Sequence, residues 1–337
     1  MGYAIAAFLS HYLIFPLIVL ACILFGGPRK SRVMASMIEK CQTQDYSDLP
    51  EIQSFHARDQ SALAYRAYAA SGGSAQPHAS IVLVHGSSAD SRSLHVLAKA
   101  IARADFAVYA LDMRGHGQSG QKGLIDYVGQ LEDDIEDFLQ CISEDGPRAL
   151  VGFSSGGGFA LRIAGGKLQS QFDNYLLLSP FISHDAPSSR ASSGGWVRIG
   201  LLRIVGLTIL NKLHIRALNK LPVLRFAIDD ANPSNLTTQY SFNLATNFRA
   251  LSSYRENIRR LKQPMRILAA QNDECIVPQA YEGIFGQAPI HVPVTIVADA
   301  SHIDMIVDSA PLNAVVTNLQ DMFAVAEMDT TSRLVNS

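Results

Sequence analysis

Between residues 80 and 180, apolar runs of four or five residues alternate with helix-length stretches, and this rhythm constrains the fold more than any other feature of the chain. Ser80 to Val84, Ala107 to Leu111, Ala149 to Gly152 and Tyr175 to Leu178 have the length and continuous apolarity of strands buried on both faces. Leu94 to Ala104, Leu131 to Ile142 and Ser155 to Ala164 lie between them and read as helices. Strand and helix in alternation predict an α/β domain with a mostly parallel sheet covered on both faces. Ala62 to Ala70 adds an earlier strand, ended by a loop at Gly72-Gly73-Ser74 and Pro77.

The rhythm stops at Phe181 and resumes after Lys262, with strands at Arg266 to Ala270 and Val294 to Val297 and a final helix near Leu312 to Ala324. An interruption of about 80 residues is too long for a structureless loop, so residues 181–262 are expected to form an inserted helical cap. The core then comprises residues 61–180 and 263–327, preceded by a linker and entry segment at 28–60 and followed by a tail at 328–337. A chain of 337 residues accommodates one such domain with an appendage.

Gly152-Phe153-Ser154-Ser155-Gly156 falls between one of these strands and the next helix, the context a Gly-x-Ser-x-Gly nucleophile elbow requires. Glycines on both sides let the backbone turn tightly and push a serine out at the end of the sheet, and only Ser154 has glycine at both flanking positions. A serine hydroxyl needs a base, and the base needs an acid that fixes its tautomer. In this arrangement the partners follow in the order Ser, acid, His. Asp273 and His302 each stand just after a predicted strand, with Glu274 as a rival acid; Asp299 and Asp304 are too near His302 in sequence to orient it. Backbone amides must also face the developing oxyanion. Ser155, after the nucleophile, supplies one, and Ser87, in the loop Val84-His85-Gly86-Ser87-Ser88, supplies the other. Cys22, Cys41, Cys141 and Cys275 are scattered and form no metal-ligand or CxxC pattern, so no metal or organic cofactor is implied.

Taken together, Val84-His85-Gly86-Ser87, Asp112-Met113-Arg114-Gly115-His116-Gly117-Gln118-Ser119, Gly152 to Gly157, Asp273 and His302 resemble the α/β-hydrolase superfamily, in particular the branch of monoacylglycerol lipases and bacterial lysophospholipases. The resemblance spans about residues 60 to 325 without the cap. It implies an eight-stranded sheet, an inserted cap and a Ser-His-Asp mechanism, favours Asp273 over Glu274 through its position relative to Pro278, and assigns the Asp112 to Ser119 segment a structural role. The branch commonly has His before the serine and Met after it; Phe153 and Ser155 stand there in this chain.

Tyr3 to Phe25 is a run of 23 residues without formal charge. As a helix at about 1.5 Å per residue it would be roughly 34 Å long, enough to cross a hydrocarbon core of about 30 Å. The segment 1–27 is therefore expected to be a transmembrane anchor. A cleaved signal peptide competes, against the lack of a basic start, and Cys22 is a weak lipidation site. Arg29, Lys30 and Arg32 follow the run, which by the positive-inside tendency puts the catalytic domain on the cytoplasmic side of the cell membrane.

The whole chain carries a formal charge of -2, yet residues 181–262 hold twelve Lys plus Arg against four Asp plus Glu, a balance of +8 that leaves -10 elsewhere. A basic cap on an acidic body points to an anionic partner and argues against nucleic acid. Lys212, Arg216 and Lys220 recur every four residues, while Gly200 to Leu210 is nearly all apolar, as in a helix at a lipid interface or one packed on the core. The expected function is hydrolysis of lipid esters: lysophospholipids, phospholipids or monoacylglycerols. An anchored esterase, thioesterase or amidase for a small substrate, and a non-catalytic membrane scaffold, are the alternatives. Asp185, Asp229, Asp230 and Glu256 are few for a peptidase cap that must hold a substrate amine.

Overall fold

The computed structural model describes residues 14–34, 38–73, 77–142, 146–229 and 236–335. Six strands come first: β1 (Gln53–His56), β2 (Ala62–Tyr68), β3 (Ser80–Val84), β4 (Ala107–Leu111), β5 (Arg148–Phe153) and β6 (Asn174–Leu178). The insertion contains β7 (Val197–Ile199), β8 (Pro222–Phe226) and β9 (Gln239–Ser241), after which β10 (Met265–Ala270) and β11 (Val294–Val297) return to the core. Eight strands form one sheet in the order β1-β2-β4-β3-β5-β6-β10-β11. β2 runs antiparallel to both neighbours and the remaining pairings are parallel.

The central strands have no solvent face, which explains their unbroken apolarity. In β3, Ile81, Val82, Leu83 and Val84 are all fully buried. The helix Ser155–Ala164 packs on β5 and β6, and the helices His95–Ala102 and Ser309–Val335 pack on each other. Parallel register then aligns the strand ends, with Val84 opposite Gly152, Phe153 opposite Leu178 and Ala270 opposite Val297. The loops leaving β3, β5, β10 and β11 therefore emerge at one rim.

The cap contains the expected helices and also a sheet that was not expected. Its centre is the three-stranded antiparallel sheet β7-β8-β9, accompanied by the twelve-residue helix Leu201–Lys212 and shorter helices at Phe242–Asn247 and Tyr254–Arg259. Lys212, Arg216 and Lys220 do not share a helical face. The helix ends at Lys212, His214 adopts a left-handed φ of 60°, and Asn211 and Asn219 exchange side-chain hydrogen bonds of 2.7 and 3.0 Å that fold the chain back. Lys220 instead meets Asp126 of the core at 2.7 Å.

The expected membrane span is described only in part. Residues 3–13 of the apolar run lie outside the described residues, and among the described residues no helix is long and apolar enough to cross a membrane. What is described is an 11-residue entry helix, Phe15–Phe25, with Pro16 in its first turn, where a missing N–H costs nothing. It lies against the cap helix Leu201–Lys212: Val19 and Ile23 are buried with Leu207 and Val223. Gly206 permits the approach, because a Cβ there would stand 2.6 Å from Ile23 Cγ1. Arg203 caps the helix end, donating from Nε to Ile23 O at 2.6 Å and from Nη2 to Leu24 O at 3.0 Å. The opposite side, with Phe15, Leu17, Ile18, Leu24 and Phe25, is exposed together with Leu201, Leu202 and Val205 of the cap helix.

Replacing Gly206 by Ile should push the entry helix off the cap at an overpacking cost of about 1–3 kcal/mol. Amide exchange within residues 15–25 should accelerate while exchange in β3 and β5 stays slow; unchanged protection of the entry helix would contradict the packing described.

Candidate active site

The turn after β5 is tight. Ser154 adopts φ 54° and ψ -118°, a conformation unfavourable for a residue with a side chain. Three hydrogen bonds hold it: Ser154 N–H to Leu178 O at 2.9 Å, and Gly158 N–H and Phe181 N–H to Ser154 O at 3.1 and 2.9 Å. The flanking glycines are required by crowding. A Cβ on Gly152 would lie 2.2 Å from Gly156 O, and one on Gly156 would lie 2.4 Å from Val84 O.

The structure brings Ser154, His302 and Asp273 together. His302 Nε2 is 3.0 Å from Ser154 Oγ, and His302 Nδ1 is 2.7 Å from Asp273 Oδ2. A carboxylate only accepts, so Nδ1 carries the proton and Nε2 is left to accept from the serine hydroxyl. The other oxygen of Asp273 accepts the amides of Cys275 and Ile276, each at 2.8 Å. Both side chains are buried, which opposes charge on each, but their mutual attraction and hydrogen bond prevail. The Asp273 carboxyl is held below its ordinary value and the His302 imidazole above its own.

Glu274 is brought to the same place with a different task. Its Oε2 accepts the backbone N–H of His302 at 3.0 Å, not the imidazole. Asp304 accepts the amide and hydroxyl of Ser301 and pairs with Lys40. Asp273, Cys275 and His302 offer ligand atoms within 4.8 Å of one another, the one grouping of metal-ligand types among the described residues. Its donors are already engaged: Asp273 with the imidazole and two amides, and the Cys275 thiol pushed far up by burial.

Phe153, where the resembling branch carries His, puts its ring 4.8 Å from the His302 imidazole and so buttresses it. The amides of Ser87 and Ser155 have no protein acceptor among the described residues and border the same cavity as Ser154 and His302. That cavity has a volume of about 1090 Å³. Its walls are largely apolar, with Ile38, Phe181, Trp196, Ile204, Leu224 and Phe248 among them. Part of the wall, Ile38 to Tyr46, comes from the segment expected to be a linker.

Sequence reasoning missed the cap residues that hold the loop after β3. Ser88, at a left-handed φ of 72°, donates its N–H to Tyr240 Oη at 2.6 Å and its hydroxyl to Thr237 O at 2.7 Å, while its carbonyl accepts Thr237 N–H at 2.8 Å. Trp196 Nε1 donates to Ser87 Oγ at 3.3 Å. Tyr240 Oη in turn lies 2.6 Å from His116 Nε2, whose other nitrogen faces the carbonyls of Met113 and Arg114, so Tyr240 donates to His116 while accepting from Ser88. Burial pushes the His116 pKa well down, consistent with the neutral imidazole this network needs. Asp112 accepts the amides of Ser91 and Gln118 at 2.7 and 2.8 Å, a structural task. A tyrosine 152 residues from its partner leaves no local sequence signal.

Sheet order, an insertion after β6 and a strained serine at the end of β5 define an α/β hydrolase. Residues 75–306 match the family model described as Hydrolase_4, serine aminopeptidase, S33, and the chain belongs to that family. A monoacylglycerol lipase of Mycolicibacterium smegmatis is 31% identical over 119 residues, covering 33% of this chain and 41% of that protein. Among solved structures, a soluble variant of monoglyceride lipase from Saccharomyces cerevisiae, in complex with a substrate analogue, aligns with a TM-score of 0.63 at 17% identity over 81% of this chain and 94% of its own. The monoacylglycerol lipase of Paleococcus ferrophilus aligns at 0.59 and 19% identity, over 77% and 99%.

Changing Tyr240 to Phe removes the acceptor of a buried amide, a loss of about 1–3 kcal/mol. Reaction of Ser154 with a fluorophosphonate should slow by about tenfold or more, and exchange at the Ser88 amide should quicken; wild-type values for both would show that the cap does not hold this loop.

Proposed function

We propose that this chain is a serine hydrolase that cleaves carboxylic esters of lipids at a membrane surface. Ser154 attacks the ester carbonyl as His302 takes its proton, and His302 returns that proton to the departing alcohol. Asp273 holds the imidazole in the required tautomer, and the amides of Ser87 and Ser155 stabilise the tetrahedral oxyanion. Water, activated by the same imidazole, releases the acyl group from Ser154. The observation that carries this reading is the unbroken hydrogen-bond chain from Ser154 Oγ to Asp273, opening on a large apolar cavity beside two uncommitted amides.

The lipid class rests on the cavity, whose volume lies at the upper end of small-molecule sites, and on the similarity to monoacylglycerol lipases. Lysophospholipids, phospholipids and monoacylglycerols fit this description. An aminopeptidase would need carboxylates to hold an amine. Among the described residues Asp90 is the only acidic side chain lining the cavity, and it is buried with its Oδ1 3.4 Å from Ser93 N. Membrane attachment is part of the proposal. Residues 3–25, continued by the exposed apolar side of the entry and cap helices, would contact the bilayer, and Arg29, Lys30 and Arg32 favour a cytoplasmic catalytic domain at the cell membrane.

Wild-type protein should be labelled by a fluorophosphonate and Ser154→Ala should not; unlabelled wild type would leave a scaffold. Long-chain monoacyl esters should be turned over faster than p-nitrophenyl acetate, and a wide preference for the acetate would turn the reading towards a soluble-substrate esterase. The pH dependence follows from the imidazole. Because the folded His302 pKa is raised, protonation removes the base at a higher pH than for a free imidazole. kcat/KM should therefore fall on acidification with a midpoint above 6.5, while Asp273 stays ionised throughout that limb. Asp273→Asn should lower kcat by about 10⁴.

A further inference from the structure

Three arginines away from the cavity are paired with carboxylates: Arg58 with Asp133, Glu136 and Asp137, Arg114 with Asp59 and Asp134, and Arg162 with Glu132. Those that line the cavity are not. Arg92, Arg190, Arg198 and Arg249 border it, and among the described residues none has a carboxylate oxygen within 4.0 Å. Asp90, the one acid in the lining among the described residues, is buried, and burial with the neighbouring Asp112 charge raises its pKa.

Arg249 is the deepest of the four. Its Nε donates to Ala245 O at 3.2 Å and its Nη1 to Ser183 Oγ at 3.3 Å, a long contact, leaving Nη2 without an acceptor among the described residues. Burial depresses its pKa; Asp185 opposes this, but that carboxylate is engaged by the Ser183 hydroxyl. Arg190 is oriented by the acid loop itself, with Nε donating to Asp273 O at 3.1 Å and Ile276 O at 3.0 Å, and its two Nη groups have no acceptor among the described residues. Arg92 lies over the Tyr46 ring at 4.2 Å, and Arg198 contacts Ser31 Oγ at 3.3 Å. Arg92, Arg190 and Arg198 are exposed and Arg249 is half-buried, so Arg249 is the one partly withdrawn from water, where a guanidinium without an anion is costly; the planar fork of each matches phosphate or carboxylate.

We propose that the cavity selects lipid esters that also carry an anionic group, phosphate or carboxylate, and that Arg249 binds that group with Arg190 beside it. This rests on the lipid-ester reading and narrows it, since a neutral monoacylglycerol leaves both guanidinium groups unpaired. Specificity of this kind arises because a site built for a polar partner is penalised when the partner is missing.

The test compares three esters of one acyl chain in Triton mixed micelles with the full chain: 1-oleoylglycerol, 1-oleoylglycerol 3-phosphate and the 3-oleoyl ester of glyceric acid. kcat/KM should be about tenfold or more higher for an anionic ester than for the neutral one. A lead for the phosphate assigns a phospholipid-type headgroup, and a lead for the glycerate a carboxylate. R249Q should reduce the anionic-to-neutral ratio by about tenfold, chiefly through KM. R260Q, which breaks an ion pair with Glu256 that does not line the cavity, should keep the ratio. Equal rates on all three esters, or an R249Q ratio equal to that of wild type, would overturn the inference and leave the lipid reading standing. Indifference to every oleoyl ester with rapid turnover of p-nitrophenyl acetate would overturn both. Should R249Q fail to fold, wild type decides: dodecyl phosphate should inhibit at a concentration about tenfold or more below dodecanol, and equal potency would refute the proposal.

Discussion

Everything in the site depends on one backbone conformation, the turn at Ser154. A serine at φ 54° stores strain, and three main-chain hydrogen bonds from two different segments keep it there. The turn is possible only because Gly152 and Gly156 let the helix Ser155–Ala164 start almost in contact with β5 and β3. That closeness sends the hydroxyl towards the rim where β10 and β11 deliver Asp273 and His302. Parallel register does the rest, since each strand end arrives level with its neighbour.

The second dependence is less expected: the insertion completes the site. Tyr240 and Thr237 fix Ser88, Trp196 reaches Ser87, and Tyr240 ties both to His116 in the core. The same cap carries the entry helix through Arg203, Gly206 and Leu207. A continuous set of packed groups therefore runs from residues 15–25 to the loop after β3. Any displacement of the cap would move the Ser87 amide relative to Ser154.

Much of the core could be read from the sequence, because strands buried on both faces announce themselves as uninterrupted apolar runs. β3, β4 and β11 have the bounds expected of them. β1 escaped, since only Phe55 of its four residues is buried and an edge strand of that kind has no pattern. Asp273 and Glu274 could not be separated by chemistry alone. Both carboxylates reach His302, and only the direction each leaves the backbone sends one to the imidazole and the other to the amide. The cap was misread because its turns are set by long-range contacts, such as Asn219 with Asn211 and Asn243, which local spacing does not encode.

The cap helix shows why apolar periodicity failed there. Ile204 lines the cavity, Gly206 and Leu207 receive the entry helix, and Leu201, Leu202 and Val205 are exposed, Leu201 at the cavity edge. Three surroundings around one cylinder leave no polar stripe, so the run from Gly200 to Leu210 looks like a buried helix or a lipid-facing one and is partly each. The same argument bears on the arginines. Charge counted along the sequence placed +8 on the cap, but Lys220 and Arg260 have partners and Arg203 serves as a helix cap. Arg190, Arg198 and Arg249 have no carboxylate within 4.0 Å among the described residues and border the cavity, whereas Lys212, Arg216, Arg255, Arg259 and Lys262 do not line it. Position relative to the cavity, not the sum, is what gives the cap its electrostatic meaning.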